Sequence, residues 1–293
     1  MTGRYCAACG MDSHRHRRRW GDLMRDYLDT FYEVAVHAPR TLIALFARPQ
    51  DLVVGLRDGD HRYPTPFKLY VTASAIFFLF IAISGVSIYQ VFVHRTPGVQ
   101  PSIIVHPDRI ETHGYWLEDR FLHRRDAAPR DPELVRVITQ ARNTSPNPNF
   151  KVSLEFVRRL ADDPRWMNED VEAWAPRALW LLMPIYALLL WPLFRKAPYL
   201  TDHFIFAVWA HTTLYLLLIL GALWNMTGLL YGLGVALVLY QIYLTVGLRA
   251  YYGASWAGAI VKGAVHSALY AVLCWLPVVA IFFIAQITRL MQA

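Results

Sequence analysis

The chain has 293 residues, 55% of them hydrophobic and 14% aromatic, with a net charge of +7 and a mean hydropathy of +0.27. Apolar runs of about twenty residues at this density exclude an ordinary soluble domain and point to membrane spans. Beside such spans, the basic cluster HRHRRRW (His14–Trp20) reads as contact with anionic lipid and as an orientation signal, not as a nucleic-acid surface.

Residues 1–20 form a basic head that carries RYCAACG, with no apolar signal region before it and so no expected cleavage. Cys6 and Cys9 make a C-x-x-C knuckle, the spacing that offers two thiolates to one tetrahedral ion such as zinc. His14 and His16 are the candidates to complete the set, although C-x2-C-x4-H-x-H is not a standard spacing. Two chains sharing one ion, a reactive dithiol and an inert pair are the alternatives, and no βαβ pattern surrounds the pair to favour the dithiol. Cys274, inside an apolar run, reads as a small packing residue.

Residues 21–66 are predicted to be amphipathic helices lying on the cytoplasmic membrane surface, with Leu23, Met24, Tyr27, Leu28, Phe31 and Tyr32 at helical spacing. Pro39 is expected to break or kink this run, because it removes a backbone donor. The segment GLRDGDHRYPTPFKLY then reads as a turn-rich approach to the first span. Within it, Arg57 and Arg62 are candidates for lipid headgroups, or else partners of the adjacent aspartates.

The first span is predicted over 67–93. Residues 94–177 are polar, with 13 basic and 13 acidic residues, and contain helical patterns at PELVRVITQAR and KVSLEFVRRLADD. They read as a helical extracytoplasmic insert whose histidines are scattered over a solvated surface. A four-helix transmembrane region follows over 178–293, with spans expected near 179–194, 203–223, 226–248 and 264–288. The fold class is therefore all-α: a polytopic membrane protein of about five transmembrane helices. The short basic segments share one face, so the positive-inside tendency predicts a bacterial inner-membrane protein with a cytoplasmic N-terminus and an extracytoplasmic C-terminus; Arg289 dissents.

Several stretches in this order carry a likeness. CAACG, the basic amphipathic segment, GLRDGDHRYPTPFKLY, MPIYALLLWPLFRKAPYLTDHFIFAVWAH and LRAYYGASWAGAIVKG together resemble a bacterial family of multi-pass membrane proteins, domain-of-unknown-function family 3667. The likeness covers most of the chain except 94–177. It implies an inner-membrane protein with a cysteine motif near its N-terminus, and it brings no reaction and no catalytic residue.

Ionisable groups inside spans are the remaining signal. Asp202, after Thr201, reads as a helix cap, and His203 as an anchor at headgroup depth. His211 lies eight residues further on, about 12 Å deeper and about 80° around the helix, so one ion shared with His203 is excluded. Counted from Lys262, His266 is expected at the depth of His203, while Tyr240 and Gln241 fall nearer His211. The expectation is a cytoplasmic-side cluster of Asp202, His203 and His266, with His211 bonded to Tyr240 or Gln241. That cluster is either a proton or ion path or a set of interhelical hydrogen bonds.

Nucleotide, hydrolase and metalloprotease signatures are absent from the sequence. The leading expectation is a non-enzymatic scaffold, assembly factor or sensor in contact with lipid bilayer and anionic headgroups. A small transporter or channel subunit, working as a homo-oligomer, and a lipid-modifying membrane enzyme are the alternatives.

Overall fold

The computed structural model describes residues 20–60, 62–106, 109–124, 131–163, 166–195, 197, 199–228 and 231–292. Helices α1 (Trp20–Ala47), α2 (Pro49–Asp58) and α3 (Pro66–Ser84) lead into strands β1 (Val86–Arg95), β2 (Ser102–Val105), β3 (Ile110–His113) and β4 (Tyr115–Arg124). Helices α4 (Pro132–Thr144) and α5 (Pro148–Asp162) follow, then α6 (Trp166–Leu193), α7 (Leu200–Met226), α8 (Gly232–Tyr252) and α9 (Trp256–Gln292). Five segments are long and apolar enough to cross a membrane: Pro66–Ser84, Val171–Leu193, Leu200–Met226, Gly232–Tyr252 and Trp256–Leu273. The expected five-span, mainly helical membrane architecture is the one observed.

Helix α7 is the axis of the bundle. Its apolar window is 61% buried, against 33% or less in the other four spans, and it packs on α3, α6 and α8. Small residues let α8 approach it closely. A Cβ on Gly247 would lie 2.6 Å from the Trp209 ring, and one on Gly232 would lie 2.2 Å from the Gly221 carbonyl oxygen. Such close approach is how membrane helices gain packing energy, since lipid gives them no hydrophobic drive to associate.

The N-terminal segment lacks the expected break at Pro39 and packs against the bundle. Helix α1 runs unbroken through Pro39, and the whole of RTLIALFA belongs to it. Helix α2 is part of the core: Leu52 and Val53 are fully buried, and α2 packs on α7 and α8. It ends where Gly59 adopts the left-handed conformation, with φ 69°. The Tyr243 hydroxyl donates to the Phe46 carbonyl at 3.1 Å, which ties the end of α1 to α8.

The first span is shorter than 67–93. Gly85, at φ 69°, closes α3 after Ser84, and VSIYQVFVHR continues as strand β1. Its β-branched and aromatic residues suit a pleated surface, so hydropathy alone merged a helix and a strand. β1 pairs antiparallel with β4 in a register from Val86↔Arg124 to Arg95↔Tyr115, and β2 pairs with β3 from Ser102↔His113 to Val105↔Ile110. The insert is thus mixed, not purely helical. Its two expected helices are present as α4 and α5, each opened by a proline after a capping Asp131 or Asn147. Leu134, Ile138, Ala141, Phe150 and Leu154 give it a small core of its own.

The expected gap between the spans near 226–248 and 264–288 is also corrected. Only three residues, Gly253–Ser255, join α8 to α9, because Gly253 turns the chain at φ 64°. The Ser255 hydroxyl then accepts from the Gly258 amide at 3.1 Å and starts α9 at Trp256. Arg249 and Lys262 both lie on helices.

Candidate functional site

The polar side chains of the bundle fall into two layers. The outer layer sits where α6 and α8 end and α7 and α9 begin. Asp202 is in the first turn of α7, which Tyr199 precedes as the cap without a side-chain hydrogen bond. The Asp202 carboxylate therefore complements the helix dipole and does not act as the cap. Its carbonyl oxygen accepts from the Tyr251 hydroxyl at 2.8 Å. His203 is fully buried within the protein. Its Nδ1 meets the Tyr252 hydroxyl at 2.8 Å, and the two rings stack with centroids 5.4 Å apart. Tyr252 in turn stacks on Phe194, and the Lys262 ammonium donates to the Leu193 carbonyl at 2.6 Å.

The inner layer holds His211 and His266 around Tyr186. His211 Nδ1–H donates to the Ala207 carbonyl at 2.7 Å, which leaves Nε2 to accept from the Tyr270 hydroxyl at 2.9 Å. His266 Nε2–H donates to the Tyr186 carbonyl at 3.2 Å, and its buried Nδ1 has no hydrogen-bond partner. The Tyr186 ring stands edge-on to both imidazoles, at 5.0 Å from His211 and 4.1 Å from His266. Tyr186 and Tyr240 share a hydroxyl–hydroxyl bond of 3.0 Å, and Gln241 Oε1 accepts from the Ser267 hydroxyl at 2.9 Å.

The expected grouping is therefore redrawn. His266 belongs with His211, and Asp202 and His203 stand apart from it. Depth explains the exchange: His211 is eleven residues into α7 and His266 ten residues into α9, so both lie about 15 Å from their helix starts. Counting from Lys262 placed His266 too shallow, because Lys262 is already inside α9. Tyr240 and Gln241 lie in the same part of the bundle but bond Tyr186 and Ser267, and the hydroxyl on His211 is that of Tyr270. The tyrosines were the missed partners. A tyrosine in an apolar run signals a ring to be buried and a hydroxyl that needs a partner.

Arg57 and Arg62 do not present free charges. Arg57 Nε bonds Asp58 at 2.8 Å while its Nη1 donates to the Tyr251 carbonyl at 2.9 Å. Arg62 Nε bonds Asp60 at 2.8 Å. Both guanidinium pKa values are raised, chiefly by these carboxylate hydrogen bonds. Cys6, Cys9, His14 and His16 lie outside the described residues. Among the described residues, no three His, Cys, Asp or Glu side chains are grouped to hold a metal ion.

At the opposite end of the bundle, Asn225 is a junction that sequence reading missed. Its Nδ2 donates to the carbonyls of Phe121 and Leu122 in β4, at 3.2 and 3.1 Å, and its Oδ1 accepts from the Gly232 amide at 2.8 Å. One buried amide thus joins α7, the start of α8 and the insert. Asn168 of α6 adds a second tie by accepting from the Tyr89 amide at 3.1 Å.

The fold and these layers define a helical multi-pass membrane protein with a mixed α/β insert fastened to one end of its bundle. Comparison of the chain with protein-family models, curated proteins and solved structures gives no match.

Proposed function

We propose that this protein is a non-enzymatic scaffold, assembly or sensor protein of the bacterial inner membrane, in which the bundle holds the insert out for partners. The observation that carries the reading is the saturation of His211: both ring nitrogens are used within the bundle, by Ala207 and Tyr270. An imidazole bonded in this way is suited to fixing helices and has no lone pair left for substrate or metal. The pairing of His266 with His211 around Tyr186, in a layer other than that of Asp202 and His203, also supports this reading over a lipid-modifying enzyme. The insert offers exposed Ile104, Val105, Trp116 and Leu117 as contact surface. Arg57, Arg62, Arg195, Arg249 and Lys262 belong to the end of the bundle away from the insert, which we assign to the cytoplasm. The N-terminal head would share that side, and the resemblance to the domain-of-unknown-function family 3667 is in keeping with this arrangement.

His211→Leu tests the proposal. In purified protein it is expected to lower bundle stability by about 1–2 kcal/mol, because Tyr270 and Ala207 lose their partner. In vesicles the wild type is expected to carry no proton flux for the substitution to abolish. Wild-type flux that disappears in His211→Leu would overturn the scaffold reading. A second reading, a proton path, is favoured by the bare, buried Nδ1 of His266. Flux lost in His266→Ala would support it, and flux absent from the wild type would remove it.

A further inference from the structure

The basic residues at the end of the bundle away from the insert are not equivalent. Arg57 and Arg62 are engaged by Asp58 and Asp60, and the Lys262 ammonium is held against the Leu193 carbonyl and the Phe194 ring. Arg249, in the last turn of α8, has no carboxylate against it among the described residues. Its guanidinium lies 4.7 Å over the ring of Trp256, the first residue of α9. The short Gly253–Ser255 link is what brings these two residues together.

Stacking consumes one face of a guanidinium and leaves its edge donors available. Those donors match a phosphate bidentately. Trp256 is 53% exposed, and Ile260, one turn further along the same side of α9, is also 53% exposed. An indole at headgroup depth with an aliphatic side chain beneath it suits a lipid better than a free anion, because the acyl chain covers the apolar part.

We propose that Arg249 and Trp256 form a binding site for the phosphate of an anionic phospholipid, with Ile260 against its acyl chain. The site goes beyond the scaffold reading and rests only on the bundle lying in a bilayer. The exposed positive charge of Arg249 sets the preference for an acidic headgroup over a zwitterionic one, and its planar fork sets the preference for phosphate.

The test uses full-length protein and measures retained lipid by native mass spectrometry after exposure to phosphatidylglycerol or phosphatidylcholine vesicles. The wild type is expected to prefer phosphatidylglycerol, and Arg249→Gln to weaken that preference about fivefold. Trp256→Leu keeps every charge and is expected to weaken it about threefold, which covers the case of a poorly folding Arg249 variant. Arg62→Gln, at a guanidinium engaged by Asp60, is expected to match the wild type. Excess soluble glycerol phosphate should not displace the lipid. Wild-type preference retained in both Arg249→Gln and Trp256→Leu, an equal loss in Arg62→Gln, or displacement by glycerol phosphate would each overturn the site. The readout is lipid retention, so it is separate from the His211 stability measurement.

Discussion

The bundle and the insert solve the same problem, the burial of polar side chains, by different means. In the bundle the partners are hydroxyls, amides, imidazoles and backbone carbonyls: His211 with Tyr270, Tyr186 with Tyr240, Gln241 with Ser267. In the insert Gln90 still meets backbone carbonyls, of His123 and Arg124, but the carboxylates meet cations. Glu155, with its side chain 6% exposed, faces Arg158 at 2.6 Å, Arg159 at 2.9 Å and Arg142 at 3.2 Å. Asp131 caps α4 and also binds Arg95, while Glu118 lies between Arg120 and His94. The contrast follows from the solvent. Lipid cannot solvate an imperfectly paired charge, whereas water at the rim of the insert can solvate the outer atoms of its arginines.

The largest expected effect is at the joint between the two regions. Gly232→Ala would place a methyl group 2.2 Å from the Gly221 carbonyl oxygen and 2.4 Å from Asn225 Oδ1. The backbone cannot yield cheaply there, and the shift would also disturb the Asn225 bonds to β4. A loss of at least about 3 kcal/mol is expected, read as a lowered melting temperature in detergent. Protease sensitivity of the insert should rise in parallel. An insert as resistant as in the wild type, beside a destabilised bundle, would show that the two regions stand independently.

Glu155→Gln is expected to act on the insert alone. The Arg158 hydrogen bond, followed by that of Arg159, pulls the Glu155 carboxyl down to about 2 from an ordinary value near 4.5. Because the folded-state value is depressed, the stabilisation is present above about pH 4.5 and is lost as pH falls toward 2. Allowing for the partial exposure of the arginines, the substitution should cost about 2 kcal/mol at pH 7. The acid limb of the stability curve should flatten in the variant between pH 4.5 and 2. Urea titrations followed across that range would check both the size and the sign.

The spans were legible because hydropathy reports burial in lipid directly, and α4 and α5 because proline and capping residues mark their starts. Three features were hidden for physical reasons. The strand after Gly85 continues an apolar run, and α9 begins in a segment whose charge and glycines imitate a loop. Trp224 and Asn225, which fall between the spans expected near 203–223 and 226–248, belong to the last turn of α7, and nothing local reveals that Asn225 reaches β4. The site was half legible. His211 stood out as deep and polar, yet its partner depended on where α9 starts, a tertiary fact that a count from Lys262 could not supply.

The smallest effect is the most direct measure of the contrast. Tyr186→Phe removes only the 3.0 Å bond to the Tyr240 hydroxyl and keeps the ring against His211, His266 and Tyr270. The expected cost is about 0.6 kcal/mol, since an unfolded chain in the bilayer also finds hydrogen-bond partners. Thermal unfolding of the variant in the same detergent as wild type would give the value. A cost equal to that of Glu155→Gln would mean that low polarity raises a neutral pair to the strength of a partly solvated ion pair. The bundle would then be held by its hydroxyls as firmly as the insert is held by its arginines. A cost near the expected value assigns most of the bundle's stability to packing around α7, and leaves its hydrogen bonds the narrower role of fixing which side chains meet.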